Sequence, residues 1–238
     1  MSVLGMVVVL AASQAEPVEN SMWFPERRGG FVSVAGDLRL ALPLEPLNVG
    51  AILDASVTWY APFPLAVRLR GSPLAVFSGG RYQTSPPGWS VAGALEVLFD
   101  TRFVAAGAGM GVATVLDEHV DANSLFYFGL VVNAFVRLGT LDGLHLTGRT
   151  HFRNLPNVGF LLSGLEGTLQ VPLARGWWLR ARGFGDASSI ALGDAGVRIA
   201  LGQDPAHAAG FLSVMAGFAL SQGVFGPSVG FGYEHRFP

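Results

Sequence analysis

Apolar and polar residues alternate with a period of two through almost the whole chain from Phe31 onward. Between positions 47 and 60, Leu47, Val49, Ala51, Leu53, Ala55, Val57 and Trp59 share one parity, and Asn48, Asp54, Ser56 and Thr58 share the other. Successive side chains of a strand point to opposite faces, so this pattern specifies strands with one apolar face. Twelve such segments are read, over 31–42, 47–60, 65–77, 89–99, 102–116, 124–138, 144–153, 158–173, 177–186, 190–202, 209–221 and 227–237. Each is long enough to cross a bilayer, which takes about 9–11 tilted residues, whereas soluble strands average about 5–6. No helical period intervenes, so consecutive strands should pair as antiparallel hairpins.

A soluble two-layer sheet would alternate as well, and here composition decides. Half of the 238 residues are hydrophobic and only 13% are charged, against roughly 25% in a soluble domain. That leaves too little polar surface to wet a globule of this size. Helices do not solve the problem, because a spanning helix needs roughly 18 or more consecutive apolar residues. The best runs, Val3 to Ala12 and Phe126 to Val136, fall short. In hydrocarbon every backbone group needs a partner within the protein, which leaves a closed barrel. The expected fold is all-β, a single closed antiparallel transmembrane barrel of about twelve strands, with ten or fourteen as alternatives. A soluble β-sandwich or propeller is the competing fold.

The first residues read differently. The apolar stretch Val3 to Ala12 is followed by Ser13-Gln14-Ala15, the small-x-small pattern of signal-peptidase sites. The expectation is a signal peptide over 1–15, an irregular lead-in over 16–30, and the barrel over 31–238. An even strand count places both termini on one side, the periplasmic side of an outer-membrane barrel. Tight turns are then expected there at 61–64, 100–101, 139–143, 174–176 and 203–208, and longer loops opposite at 78–88 and 117–123. Aromatic residues near strand ends (Trp59 with Tyr60, Trp89, Phe99, Phe126, Phe152, Trp177 with Trp178, Phe237) read as interfacial girdles.

The last strand reads Val229-Gly-Phe231-Gly-Tyr233-Glu-His235-Arg-Phe237 before Pro238. It resembles the closing strand of bacterial outer-membrane β-barrel proteins, whose alternating apolar positions end in a terminal aromatic. The chain departs from that pattern at His235 and at Pro238. The resemblance implies the outer membrane of a Gram-negative bacterium, lipid around the wall, and recognition by the barrel-assembly machinery.

With the apolar parity turned to lipid, the other parity faces the lumen. It carries Asp37 and Arg39 on the first strand, Asp54 on the second, Arg68 and Arg70 on the third, and Glu96 on the fourth. Further along come Arg137, then Arg149 and Arg153, then Glu166, then Arg180 and Arg182. Asp194 with Arg198, and Glu234 with Arg236, complete the set. A charge facing lipid near the midplane costs about 2–4 kcal/mol, so their confinement to one parity is the internal check on the barrel. Ten arginines against six carboxylates suggest a narrow, arginine-lined channel for small anionic solutes. Gly107, Gly109, Gly111, Gly230 and Gly232 on the same parity are expected to leave space in it. The alternative is a structural or interaction barrel whose lumen is plugged by paired charges.

Enzymatic readings are weaker. The segment Gly148 to Asn154 faintly resembles the His-x-Ser-Asn pattern of outer-membrane phospholipases and lipid A deacylases, but Arg153 stands in the serine's place. Without that hydroxyl, His151 has nothing to activate, and no catalytic role is expected. His145 and His151 lie roughly 20 Å apart along one strand, too far to share a metal. Asp117, Glu118, His119 and Asp121 could hold calcium in a loop, although acidic loops are usually just solvated. The absence of cysteine removes thiol chemistry. No cofactor is called for. A net charge of −2 gives no basic face for nucleic acid.

Overall fold

A computed structural model describes residues 30–41, 50–77, 88–101, 103–116, 127–155, 159–186, 190–202, 209–221 and 224–237. The expected signal peptide, most of the lead-in, and the acidic loop at 117–121 lie outside the described residues.

Twelve strands follow one another: β1 (Phe31–Ala41), β2 (Gly50–Tyr60), β3 (Leu65–Phe77), β4 (Gly88–Asp100), β5 (Val104–Leu116), β6 (Tyr127–Gly139), β7 (His145–Leu155), β8 (Gly159–Ala174), β9 (Trp177–Asp186), β10 (Ile190–Leu201), β11 (Gly210–Ser221) and β12 (Val224–Phe237). Each pairs antiparallel with its chain neighbours, and β1 pairs with β12 from Val32↔Phe237 to Ala41↔Ser228, closing the sheet. Every strand boundary falls within three residues of the one read from alternation. The period of two holds because one face meets side chains and the other does not. Along β2, Leu53, Ala55, Val57 and Trp59 are exposed outward while Thr58 and Tyr60 are buried. Leu69, Leu95, Val97, Met110 and Val112 likewise form an apolar outer wall. Register slips occur at Leu53/Ala55, Ser72/Ala75, His151/Phe152 and Pro172/Ala174, where each bulge absorbs one residue.

The glycines expected to leave open space do something else. A Cβ on Gly107 or Gly111 would run into the backbone of Val97 and Leu98, or of Gly93 and Ala94. On Gly109 it would strike the Leu95 carbonyl, Glu96 and Asn133. The β5 backbone therefore presses against β4, and the inner surface is too tight for a side chain there. The same crowding recurs between β10 and β11, where Gly196 faces the Val214 carbonyl and Gly217 that of Gly193. The two glycine seams lie six strands apart in a ring of twelve. They act as opposed corners and divide the barrel into two walls, β11–β12–β1–β2–β3–β4 and β5 to β10. Gly232 makes room for Asp37, and Gly230 for Arg182 and Met215.

Each aromatic doublet turns one ring outward and one inward, and the Trp89 and Phe126 side chains lie outside the described residues. Trp59 and Trp177 are exposed at the outer rim with Phe99 and Phe237, but their neighbours Tyr60 and Trp178 are buried. Adjacent residues of a strand cannot both face lipid. Tyr60 instead stacks on Phe31 at 4.4 Å and packs with Ala66 and Leu98.

Candidate functional site

The inward parity brings nine arginines with described side chains into the barrel, and nearly all meet carboxylates from other strands. Near the end where β1 begins and β12 finishes, Arg137 is held by Asp100 at 2.9 Å, both buried. Arg198 meets Glu234 at 2.7 Å, and Arg236 meets Glu234 at 2.8 Å. Deeper, Arg68 and Arg149 share Glu96 at 3.3 and 3.1 Å. Glu166 takes Arg70 at 2.7 Å, Arg149 at 3.1 Å, and His151 at 3.8 Å. A third layer joins Arg182 to Asp194 and Asp37, and Arg39 to Asp194 and Asp54. Arg153 belongs to β7, and its side chain lies outside the described residues.

Inner-face aromatics space these charges. Phe135 carries Arg68 and Arg149 at 5.1 Å each, and Phe211 carries Arg198 at 4.0 Å and Arg236 at 4.5 Å. A guanidinium over a ring face keeps a favourable partner where water is scarce.

Two carboxylates escape a reading by parity alone. Asp100, expected in a turn, is the last residue of β4 and turns inward against Arg137. Asp142 sits in the β6–β7 turn, which folds over the mouth of the barrel. Both of its oxygens accept from Arg236, at 2.7 and 2.8 Å, while Trp178 donates to its backbone carbonyl at 2.7 Å. Burial alone would raise the Asp142 carboxyl, but the hydrogen bond and charge of Arg236, with the charge of Arg198, hold it below its ordinary value. With these two included, eight carboxylates face nine described arginines. These two carboxylates reduce the arginine surplus expected from sequence by two.

The remaining space is unevenly lined. A chamber of about 210 Å³ opens among seven arginines (Arg68, Arg70, Arg137, Arg149, Arg180, Arg198 and Arg236), with only Asp37, Glu166 and Glu234 as carboxylates on its surface. A second, of about 60 Å³, lies among Asp37, Arg39, Asp54, Arg70, Glu166, Arg180 and Arg182. A closed sheet with an apolar outside and an ionic inside satisfies every demand of hydrocarbon on a backbone. The described strands form one closed antiparallel β-barrel with an apolar outer wall and a charged interior.

No protein-family model matches the barrel, and no curated protein matches it in sequence. Solved structures similar to it include the toluene transporter TbuX of Ralstonia pickettii (TM-score 0.45, 10% identity, covering 88% of this chain and 90% of that one). The monoaromatic hydrocarbon channel CymD is similar at TM-score 0.42 and 9% identity, with 88% of each chain covered. The translocator domain of the autotransporter NalP from Neisseria meningitidis gives 0.40 and 12%, covering 98% and 94%.

Proposed function

We propose that the barrel sits in the outer membrane of a Gram-negative bacterium, after removal of residues 1–15, and passes small anionic solutes through its lumen. The observation that carries this reading is the larger chamber, where seven arginines and three carboxylates meet the open space. Buried partners such as Glu96 and Asp100 neutralise charge from behind, so the surface met by a solute is more positive than the overall balance. Rings of arginine favour anions in this way. The purified protein in planar bilayers tests it. Under a KCl gradient, the expected reversal potential lies toward that of chloride; one toward potassium overturns the anion reading.

A second reading, a structural barrel with a closed lumen, draws on the ion pairs that run from one wall to the other. Absence of openings over a range of salts would favour it. The barrel is proposed to be non-catalytic. His151 faces Glu166 in the lumen at 3.8 Å and is turned away from the acyl chains that a lipid hydrolase must reach.

A further inference from the structure

We infer that Arg180 is the docking point for one small oxyanion, of the carboxylate or phosphate class, where the two lumen chambers meet; this rests on the anion-passage reading. Arg180 lines both chambers. It stands apart from the other eight described inward arginines in having no carboxylate within ion-pair distance among the described residues. Its Nε is buried and finds no acceptor, as is the case for Arg39 and Arg149, but these two have a carboxylate oxygen at 3.8 and 3.1 Å.

The register explains the vacancy of partners. Opposite Arg180 stand Gln170 on β8 and Gly196 on β10, neither of them acidic. Charges close enough to act on it electrostatically include the carboxylates Asp37 and Glu234 and the cations Arg182 and Arg198. Asp37 is held by Arg182 at 3.1 Å, and Glu234 by Arg198 and Arg236. Both carboxylates thus already hold ion pairs, with Asp37 Oδ1 accepting no hydrogen bond, and Arg180 keeps a full positive charge and five N–H donors in a confined space. Holding such a half-buried group without a partner is unfavourable, and a planar or tetrahedral oxyanion matches its fork in a way that chloride does not. The adjoining chamber of about 210 Å³ has room for such an ion with several waters.

Inorganic phosphate is the probe, titrated into the full chain in detergent micelles and followed by phosphorus NMR line broadening. Heat-modifiable migration confirms that each variant is folded. Arg180→Gln should weaken binding by about tenfold or more, the loss of a charge-assisted contact, and Arg180→Lys should fall between. Should Arg180→Gln fail to fold, Arg180→Lys carries the test, because it keeps the charge and loses the fork. Phosphate that binds the folded variants as tightly as the parent, or fails to bind the parent, overturns the site.

Bilayer recordings separate this proposal from the one it rests on. Anion-selective openings in which phosphate blocks parent and Arg180→Gln equally discard the site and keep the passage. Silent bilayers combined with Arg180-dependent phosphate binding in micelles discard the passage and keep the site.

Discussion

Arg70 on β3 and Glu166 on β8 join hands across the lumen, Nη1 to Oε2 at 2.7 Å and Nη2 to Oε1 at 3.1 Å. Five strand pairings separate them in the ring, so nothing local brings them together. They belong to opposite walls, and so do Arg149–Glu96, Arg182–Asp37, Arg39–Asp194, Arg198–Glu234, Arg236–Asp142 and Arg137–Asp100. The glycine corners bring the walls close, and the bidentate geometry of arginine holds them at a fixed distance.

Glu166→Gln should therefore destabilise the barrel while leaving its fold intact. It takes from Arg70 its ion-pair partner and leaves Arg149 with Glu96 alone, a loss of about 1–3 kcal/mol for partly buried charged groups. Urea unfolding in lipid bilayers measures the loss. The Arg70→Ala/Glu166→Ala double-mutant cycle should return a coupling of similar size, and additive single effects would show that the two side chains do not act together.

The mouth is governed by Asp142. Its carboxyl is held below its ordinary value of 3.8, so the stability it lends is fully present above that value. The contribution fades as pH falls from there through the depressed value in the folded protein. The β6–β7 turn, Thr140 to Leu144, should stay docked at neutral pH and loosen only under strong acid. Amide exchange within the turn reports this, compared at matched intrinsic rates. Asp142→Asn should loosen the turn at neutral pH and abolish the acid dependence; protection unchanged in that variant would assign the docking to the Trp178 and Gln170 contacts.

Much of this architecture is legible in the sequence because alternation is enforced at every position of a strand that separates lipid from charge. Leu53, Val57 and Trp59 point outward for the same reason that Thr58 points inward. Parity does not state distances across the lumen, so the partners Arg70–Glu166 and Arg182–Asp37 could not be read. Asp100 and Asp142 were hidden by their position at strand ends, where alternation gives way to turns. The glycines misled because absence of a side chain reads as space, whereas Gly107 and Gly111 make way for backbone. Arg180 carried no signal of its own, since its isolation depends on register with Gln170 and Gly196.

Corner glycines should tolerate substitution far less well than other glycines of the same sheet. Gly111→Val places methyl groups against the β4 backbone at Gly93 and Ala94, overpacking worth about 1–3 kcal/mol or more. Gly183, where an added Cβ meets nothing within 4 Å, should accept alanine with little change. Heat-modifiable migration and unfolding midpoints compare the two. Equal tolerance would mean that β4 and β5 do not approach as closely as described.

The outer wall gives the last expectation, and the one most specific to a membrane. Met110 is 65% exposed at the middle of β5, beside the exposed Leu95 on β4. In water such a pair would be an aggregation hazard; against acyl chains it is the favourable choice. Met110→Arg should cost about 2–4 kcal/mol, and Val104→Arg, at the rim of the same strand, about 0–1 kcal/mol. Unfolding titrations of the protein inserted into phospholipid vesicles measure both. The difference is a depth effect, because the rim arginine can reach headgroups and water while the central one cannot. A soluble barrel would show no such gradient, and equal small costs at both positions would remove the lipid from the picture.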